Sequence, residues 1–143
     1  MKFRAYNHLL GESTLAVFGT KALARKNRKG FPQSLDGAPF LLQGRASALR
    51  RSLETWFDSN GLRPMIRGEF DDSALLKVFG QAGQGLFASP FVIRDEICRQ
   101  HEVEVVGELT SLREHFYAIS AERRLKHPAV VAISESARDD IFA

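Results

Sequence analysis

One cysteine, one tryptophan and four histidines in 143 residues leave few options for covalent or metal chemistry. Cys98 alone cannot form an internal disulfide, and such sparse usage fits a reducing compartment. On a helix, as its neighbours suggest, it reads as a small buried hydrophobe. His8, His101, His115 and His127 are too far apart in sequence for a metal-binding motif. No Gly-x-Ser-x-Gly elbow or Cys/His pairing supplies an activated nucleophile, so no enzymatic activity is expected. Gly80, Gly83 and Gly85 follow a helical pattern and precede a strand. That is the reverse of a dinucleotide fingerprint, so no cofactor is expected either.

Long apolar runs are also missing. None approaches the roughly 18 residues needed to span a bilayer. The start, Met1-Lys2-Phe3-Arg4, lacks a signal peptide's apolar core and cleavage site. A cytoplasmic protein with no membrane partner is the expectation. The sequence shows no internal repeat, low-complexity segment or long linker. Its charge is only mildly one-sided, at a formal +3. The densest positive run is Lys21, Arg25, Lys26, Arg28 and Lys29, which reads as a solvated helix end and loop. Neither aromatic platforms nor zinc-finger spacing accompany it, so sequence-reading of nucleic acid by this chain is not expected.

What is present is a globular composition, with 44% hydrophobic and 26% charged residues. The length suits one domain, or two small lobes in one chain. Phe3 to Tyr6 alternates as a strand, and Thr14 to Phe18 reads as a buried one. A short helix is expected over Ala22–Arg25, a loop over Asn27–Gly30, a turn at Ser34–Gly37 and a strand over Phe40–Leu42. The clearest helix runs from Ala46 to Ser59, with Leu49, Leu53, Trp56 and Phe57 on one face. Arg50 and Glu54 sit four apart on it and can pair, and Gly61 stops it. A strand over Met65–Phe70 and a helix over Ser73–Gln81 follow. Ser89 and Pro90 are expected to open a further helix reaching Arg99. Val103–Val106 and Phe116–Ile119 read as strands. A last helix from Pro128 would bury Val130, Ile133, Ala137 and Ile141. The alternation argues for an α/β fold with a largely parallel sheet.

Two polar clusters fall at strand-to-helix junctions, where open α/β sheets bind ligands. Glu69, Asp71 and Asp72, followed by Ser73, offer the oxygen ligands that a hard monovalent cation requires. The competing reading has Asp72 or Ser73 capping the next helix, with the other acids solvated. Gln43-Gly44-Arg45-Ala46-Ser47 offers backbone N–H groups, with Arg45 and Ser47, to an anion or carbonyl. A plain helix cap is the alternative there. Ser13 and Thr14 read as ordinary strand residues.

The order helix ending Trp56-Phe57, Gly61-Leu62-Arg63-Pro64, strand, helix through Lys77-Val78-Phe79, Ala82-Gly83-Gln84-Gly85, strand before Pro90 resembles the effector-binding domain of LysR-type transcriptional regulators. Asn7-His8-Leu9-Leu10-Gly11-Glu12-Ser13, Gly68 through Gly83, and Glu122 through Ile133 resemble the sodium-responsive branch that activates Na+/H+ antiporter genes. The resemblance covers nearly the whole chain, but only the last part of such a regulator. It implies a periplasmic-binding-protein-like α/β regulatory domain, one complete lobe plus part of the second. Residues 12–110 would form the central lobe. Residues 1–11 and 111–143 would supply hinge strands and a partial second lobe. It implies an effector cleft lined by the Gln43–Ser47 junction and a cation or small effector as ligand. It further implies a homodimer or higher homo-oligomer using the helix of Leu49, Leu53, Trp56 and Phe57. Promoter DNA would be bound only through an amino-terminal domain outside this chain. The alternative is a stand-alone solute-binding module of the same fold.

Overall fold

A computed structural model describes the backbone of residues 6–120, with side chains placed over residues 11–115. The strand expected over Phe3–Tyr6 lies mostly outside these residues, and the helix expected from Pro128 lies wholly outside them. Five strands and four α-helices are described: β1 (Tyr6–Gly19), α1 (Lys21–Arg28), β2 (Pro39–Gln43), α2 (Ala48–Ser59), β3 (Met65–Phe70), α3 (Ser73–Gln81), β4 (Phe87–Pro90), α4 (Arg94–His101) and β5 (Glu104–Ser120).

Leu15 to Phe18 is an unbroken apolar run because β1 is covered on both faces. Leu15 and Val17 enter one core with Phe40, Leu42, Leu49, Leu53 and Phe57. Ala16 and Phe18 enter a second core with Leu41, Leu76, Phe87, Ile93 and Ile97. Helices α1 and α2 therefore cover one face, and α3 and α4 the other.

The sheet is not largely parallel, as the alternation had suggested. β1 lies antiparallel to both β4 and β5, while β2 and β3 pair in parallel. A single parallel bridge, Phe40 to Leu86, joins the two groups. The sequence pattern hides this because β1 and β5 are long ribbons entering and leaving the lobe. Val103–Val106 and Phe116–Ile119 fall largely on one strand, β5. Ser89 is not a helix cap. It is fully buried in β4 opposite Ala16, and the helix begins only at Arg94 after a 3-10 turn. Proline is tolerated there because Pro90 ends the strand in extended geometry. α1 also runs through the expected loop as far as Arg28, held by the Asn27 side chain donating to the Leu23 carbonyl at 2.8 Å.

Local chemistry sets the ends of the two helices nearest the candidate site. Ser47 Oγ accepts the Arg50 N–H, so α2 starts at Ala48 rather than Ala46. Gly61, at φ +65, takes the left-handed conformation that ends it. Asp72 Oδ1 accepts the N–H groups of Ala74 at 2.8 Å and Leu75 at 3.3 Å, opening α3.

Candidate effector site

β2 ends at Gln43 and β3 at Phe70, directly opposite each other in a parallel ladder. The two polar clusters therefore leave adjacent strand ends and meet. Gly44 N–H donates to the Phe70 carbonyl at 2.8 Å. The Asp71 carboxylate lies over the Gly44 α-carbon, where a Cβ would sit 1.9 Å from Asp71 Oδ1. The missing side chain at Gly44 lets the carboxylate approach this closely. No sequence spacing showed that these segments form one site.

The carboxylates divide into different roles. Asp72 is committed to capping α3. Glu69 is paired with Arg50 Nη2 at 2.9 Å. Asp71 forms no hydrogen bond or ion pair among the described residues. No group of three or more His, Cys, Asp or Glu side chains among the described residues is placed to hold a metal ion. Glu69 and Asp72 thus each have a partner of their own, an arginine and a helix terminus, and Asp71 differs from both. Ser73, the first residue of α3, is half-buried at the same junction.

Arg50 is the residue whose importance the sequence understated. Its side chain is only 8% exposed. It donates to Glu54 at 2.7 Å, to Glu69 at 2.9 Å and to the Gln43 carbonyl at 3.2 Å, so it ties α2 to the ends of β2 and β3. The Arg50–Glu54 pairing was legible from spacing, but the longer reach to Glu69 was not. The hydrogen bond from Arg50, reinforced by its charge, holds the Glu69 carboxyl below its ordinary range. Glu69, ahead of Glu54, raises Arg50 in turn, against the opposing effect of burial. Arg45, Arg50, Arg51 and Glu54 line an open recess of about 340 Å³ beside this clamp.

Gln43 closes the gap where β2 and β4 part. Its Nε2 donates to the Ala88 carbonyl at 3.0 Å, while its buried Oε1 has no partner among the described residues. Ser13, Thr14 and Ser89 are further buried polar residues on the neighbouring strands. Ser13 Oγ accepts the Val92 N–H at 3.1 Å, and Thr14 donates to Glu108 at 2.6 Å. These two strand hydroxyls thus fasten β1 to its surroundings. Cys98 is half-buried on α4, and burial pushes its thiol up, away from the reactive thiolate.

Of the four residues expected at a dimer interface, Leu49, Leu53 and Phe57 are buried in the chain's own core and present little surface. The apolar face of α2 had to cover the sheet first. Trp56 packs at the edge of that core and donates its indole N–H to Ser111 at 3.0 Å. The exposed apolar residues lie elsewhere, among them Met65 and Ile66 on β3.

Polar junctions at the carboxyl ends of the parallel strands β2 and β3, in a lobe that the long β1–β5 ribbon enters and leaves, define a fold of the periplasmic-binding-protein type. A sequence profile described as the LysR substrate binding domain matches residues 5–141. The chain belongs to this family. It is 37% identical over 115 residues to the transcriptional activator protein NhaR of Escherichia coli strain K12, covering 80% of this chain and 38% of that protein. It therefore spans well under half the length of this relative. Among solved structures, the regulatory domain of the HypT M206Q mutant from Salmonella typhimurium superposes with a TM-score of 0.62 at 19% identity, covering 92% of this chain and 65% of that one. Vibrio fischeri DarR in complex with DNA superposes at 0.59 and 20% identity, covering 96% of this chain and 46% of that one. No helix among the described residues is long and apolar enough to cross a membrane.

Proposed function

We propose that this chain is the effector-sensing and self-associating part of a cytoplasmic transcriptional activator responding to sodium or a related cation stress. The observation that carries the reading is the meeting of Gly44 and Asp71 at adjacent strand ends, in a domain 37% identical to NhaR. Asp71 is the acid left free to meet a cation or an effector's donor group. Gln43, Gly44, Arg45, Ser47 and Ser73 surround it at the two junctions. Ligand binding favours one arrangement of the lobes, and the difference in affinity between arrangements sets the response. Residues 12–110 act as the sensing lobe. The flanking ribbon carries the hinge and the start of the second lobe, and promoter DNA is held by an amino-terminal domain of the intact protein.

The test uses the full-length regulator with a reporter. Asp71→Asn keeps size and removes charge, so the sodium dose-response is expected to shift at least several-fold while folding and promoter affinity stay intact. Gly44→Ala is expected to act alike, because its methyl group displaces the Asp71 carboxylate. The displaced atoms are the end of a side chain, so the stability cost stays below about 1 kcal/mol. A wild-type dose-response in both variants, each confirmed folded, would remove Asp71 from sensing. A Glu69→Gln variant distinguishes the roles, since its effect should appear in stability through Arg50.

Self-association falls to the β3 edge. β3 has no second neighbour among the described residues, and Met65 and Ile66 are exposed along it. Open edges carrying apolar side chains invite pairing with another chain. A homodimer through this edge predicts that Ile66→Lys shifts the protein toward monomer in light scattering. An unchanged mass across the concentration series would place the interface elsewhere.

A further inference from the structure

The positive run on α1 is organised as a face. No acidic residue lies between Thr20 and Leu35. Ala24 and Asn27 turn inward, and Lys21, Arg25, Lys26 and Lys29 are all exposed. Arg28 is paired with Glu104 at 2.8 Å, but none of the other four cations forms an ion pair among the described residues. Helix stability explains only part of this arrangement. Arg25 and Lys26, in the last turn, complement the helix dipole. Lys21 is in the first turn, where a positive charge is unfavourable, and Lys29 lies past the last helical residue.

The face also lacks what a protein partner uses. Its outward apolar group is Ala22, with no aromatic or large aliphatic anchor, whereas protein interfaces concentrate their energy in such anchors. A row of unpaired cations without an apolar centre complements a regular polyanion.

We propose that the outward face of α1, formed by Lys21, Arg25, Lys26 and Lys29, docks on the sugar-phosphate backbone of duplex DNA without reading its sequence. The choice of DNA among polyanions rests on the regulator function proposed above. In such an assembly promoter DNA is tethered nearby, so even a weak contact acts at high effective concentration. Each phosphate neutralised releases condensed counterions and adds about 0.9 to the slope of log affinity against log salt.

The 143-residue chain is titrated onto a labelled mixed-sequence duplex of about 30 base pairs, between about 50 and 200 mM salt. Weak binding with a slope magnitude of about 3–4 is expected, and it should be the same for a scrambled duplex. Changing Lys21, Arg25, Lys26 and Lys29 together to alanine should cut that slope by about 3 and weaken low-salt binding at least ten-fold. Arg63→Ala with Arg99→Ala, on other exposed segments, should leave the slope unchanged. Replacing the three lysines by arginine should preserve binding. Circular dichroism checks that each variant is folded. An unchanged slope in the quadruple variant overturns the proposal. So does polyglutamate binding the same face more tightly than the duplex, which would assign it to an acidic protein. Failure here leaves the sodium dose-response of Asp71→Asn untouched, so the two readings fail separately.

Discussion

Replacing Arg50 with methionine is expected to lower the unfolding free energy by about 2–3 kcal/mol and to weaken its dependence on acid pH. The substitution keeps an unbranched side chain but removes every donor. The Gln43 carbonyl loses a partner at the end of β2, and the link from α2 to β3 disappears. Glu54 and Glu69 are about half exposed and regain water. That keeps the loss below the 3–5 kcal/mol typical of breaking a fully buried pair. The pH effect has a definite sign. Arg50 holds the Glu69 carboxyl below its ordinary range. Its contribution is therefore present above the unfolded-state value, near 4.5, and is lost as pH falls through the lower folded value. Wild type should lose this contribution below that range, whereas Arg50→Met should already lack it at neutral pH. Urea titrations at neutral and acid pH measure both effects. Equal stability of the two proteins at neutral pH, with parallel acid profiles, would show that Arg50 holds nothing together.

Substituting Gly80 with leucine is the second large effect, a destabilisation of about 2–3 kcal/mol. On an exposed helix the same change would favour folding by up to about 1 kcal/mol, since glycine is a poor helix former. Gly80 instead faces the Phe87 ring, whose nearest carbons would stand 2.6 and 2.7 Å from an added Cβ. Phe87 is fully buried and stacks on Phe18 at 5.5 Å between centroids, so it has little freedom to retreat. Gly80→Ala should fall between wild type and Gly80→Leu. Thermal or urea unfolding gives the ranking, and an alanine variant more stable than wild type would contradict the close packing of α3 on β4.

Much of the candidate site was visible in sequence as parts. Asp72 and Ser47 stand one residue before their helices, and short-range chemistry makes such residues caps. Gln43, Gly44 and Asp71 could be singled out because they follow apolar strand patterns. Their meeting was not visible, because it depends on β2 and β3 being neighbours in parallel register. Arg50 was credited with a partner one helical turn away, while its bond to Glu69 crosses from α2 to β3.

The dimer face shows the same divide. The sequence identified the apolar stripe of α2 but could not say what covers it. Three of its four residues are spent on the chain's own core, while Met65 and Ile66 remain exposed on an edge that exists only because β3 is outermost among the described strands. Likewise, Ser89-Pro90 carries a helix-start signature, yet pairing with β1 makes it the end of a strand.

By itself the sequence determined the alternation of strands and helices, the end of α2 at Gly61, and, with Cys98 as the single cysteine, the lack of an internal disulfide. These depend on residues within a turn or two of each other, where composition and spacing act directly. Only the tertiary structure decided the antiparallel placement of β1, the joining of Gly44 to Asp71, the Arg50 clamp and which apolar residues stay exposed. Those outcomes depend on contacts between segments far apart in the chain, and local sequence preference does not encode them.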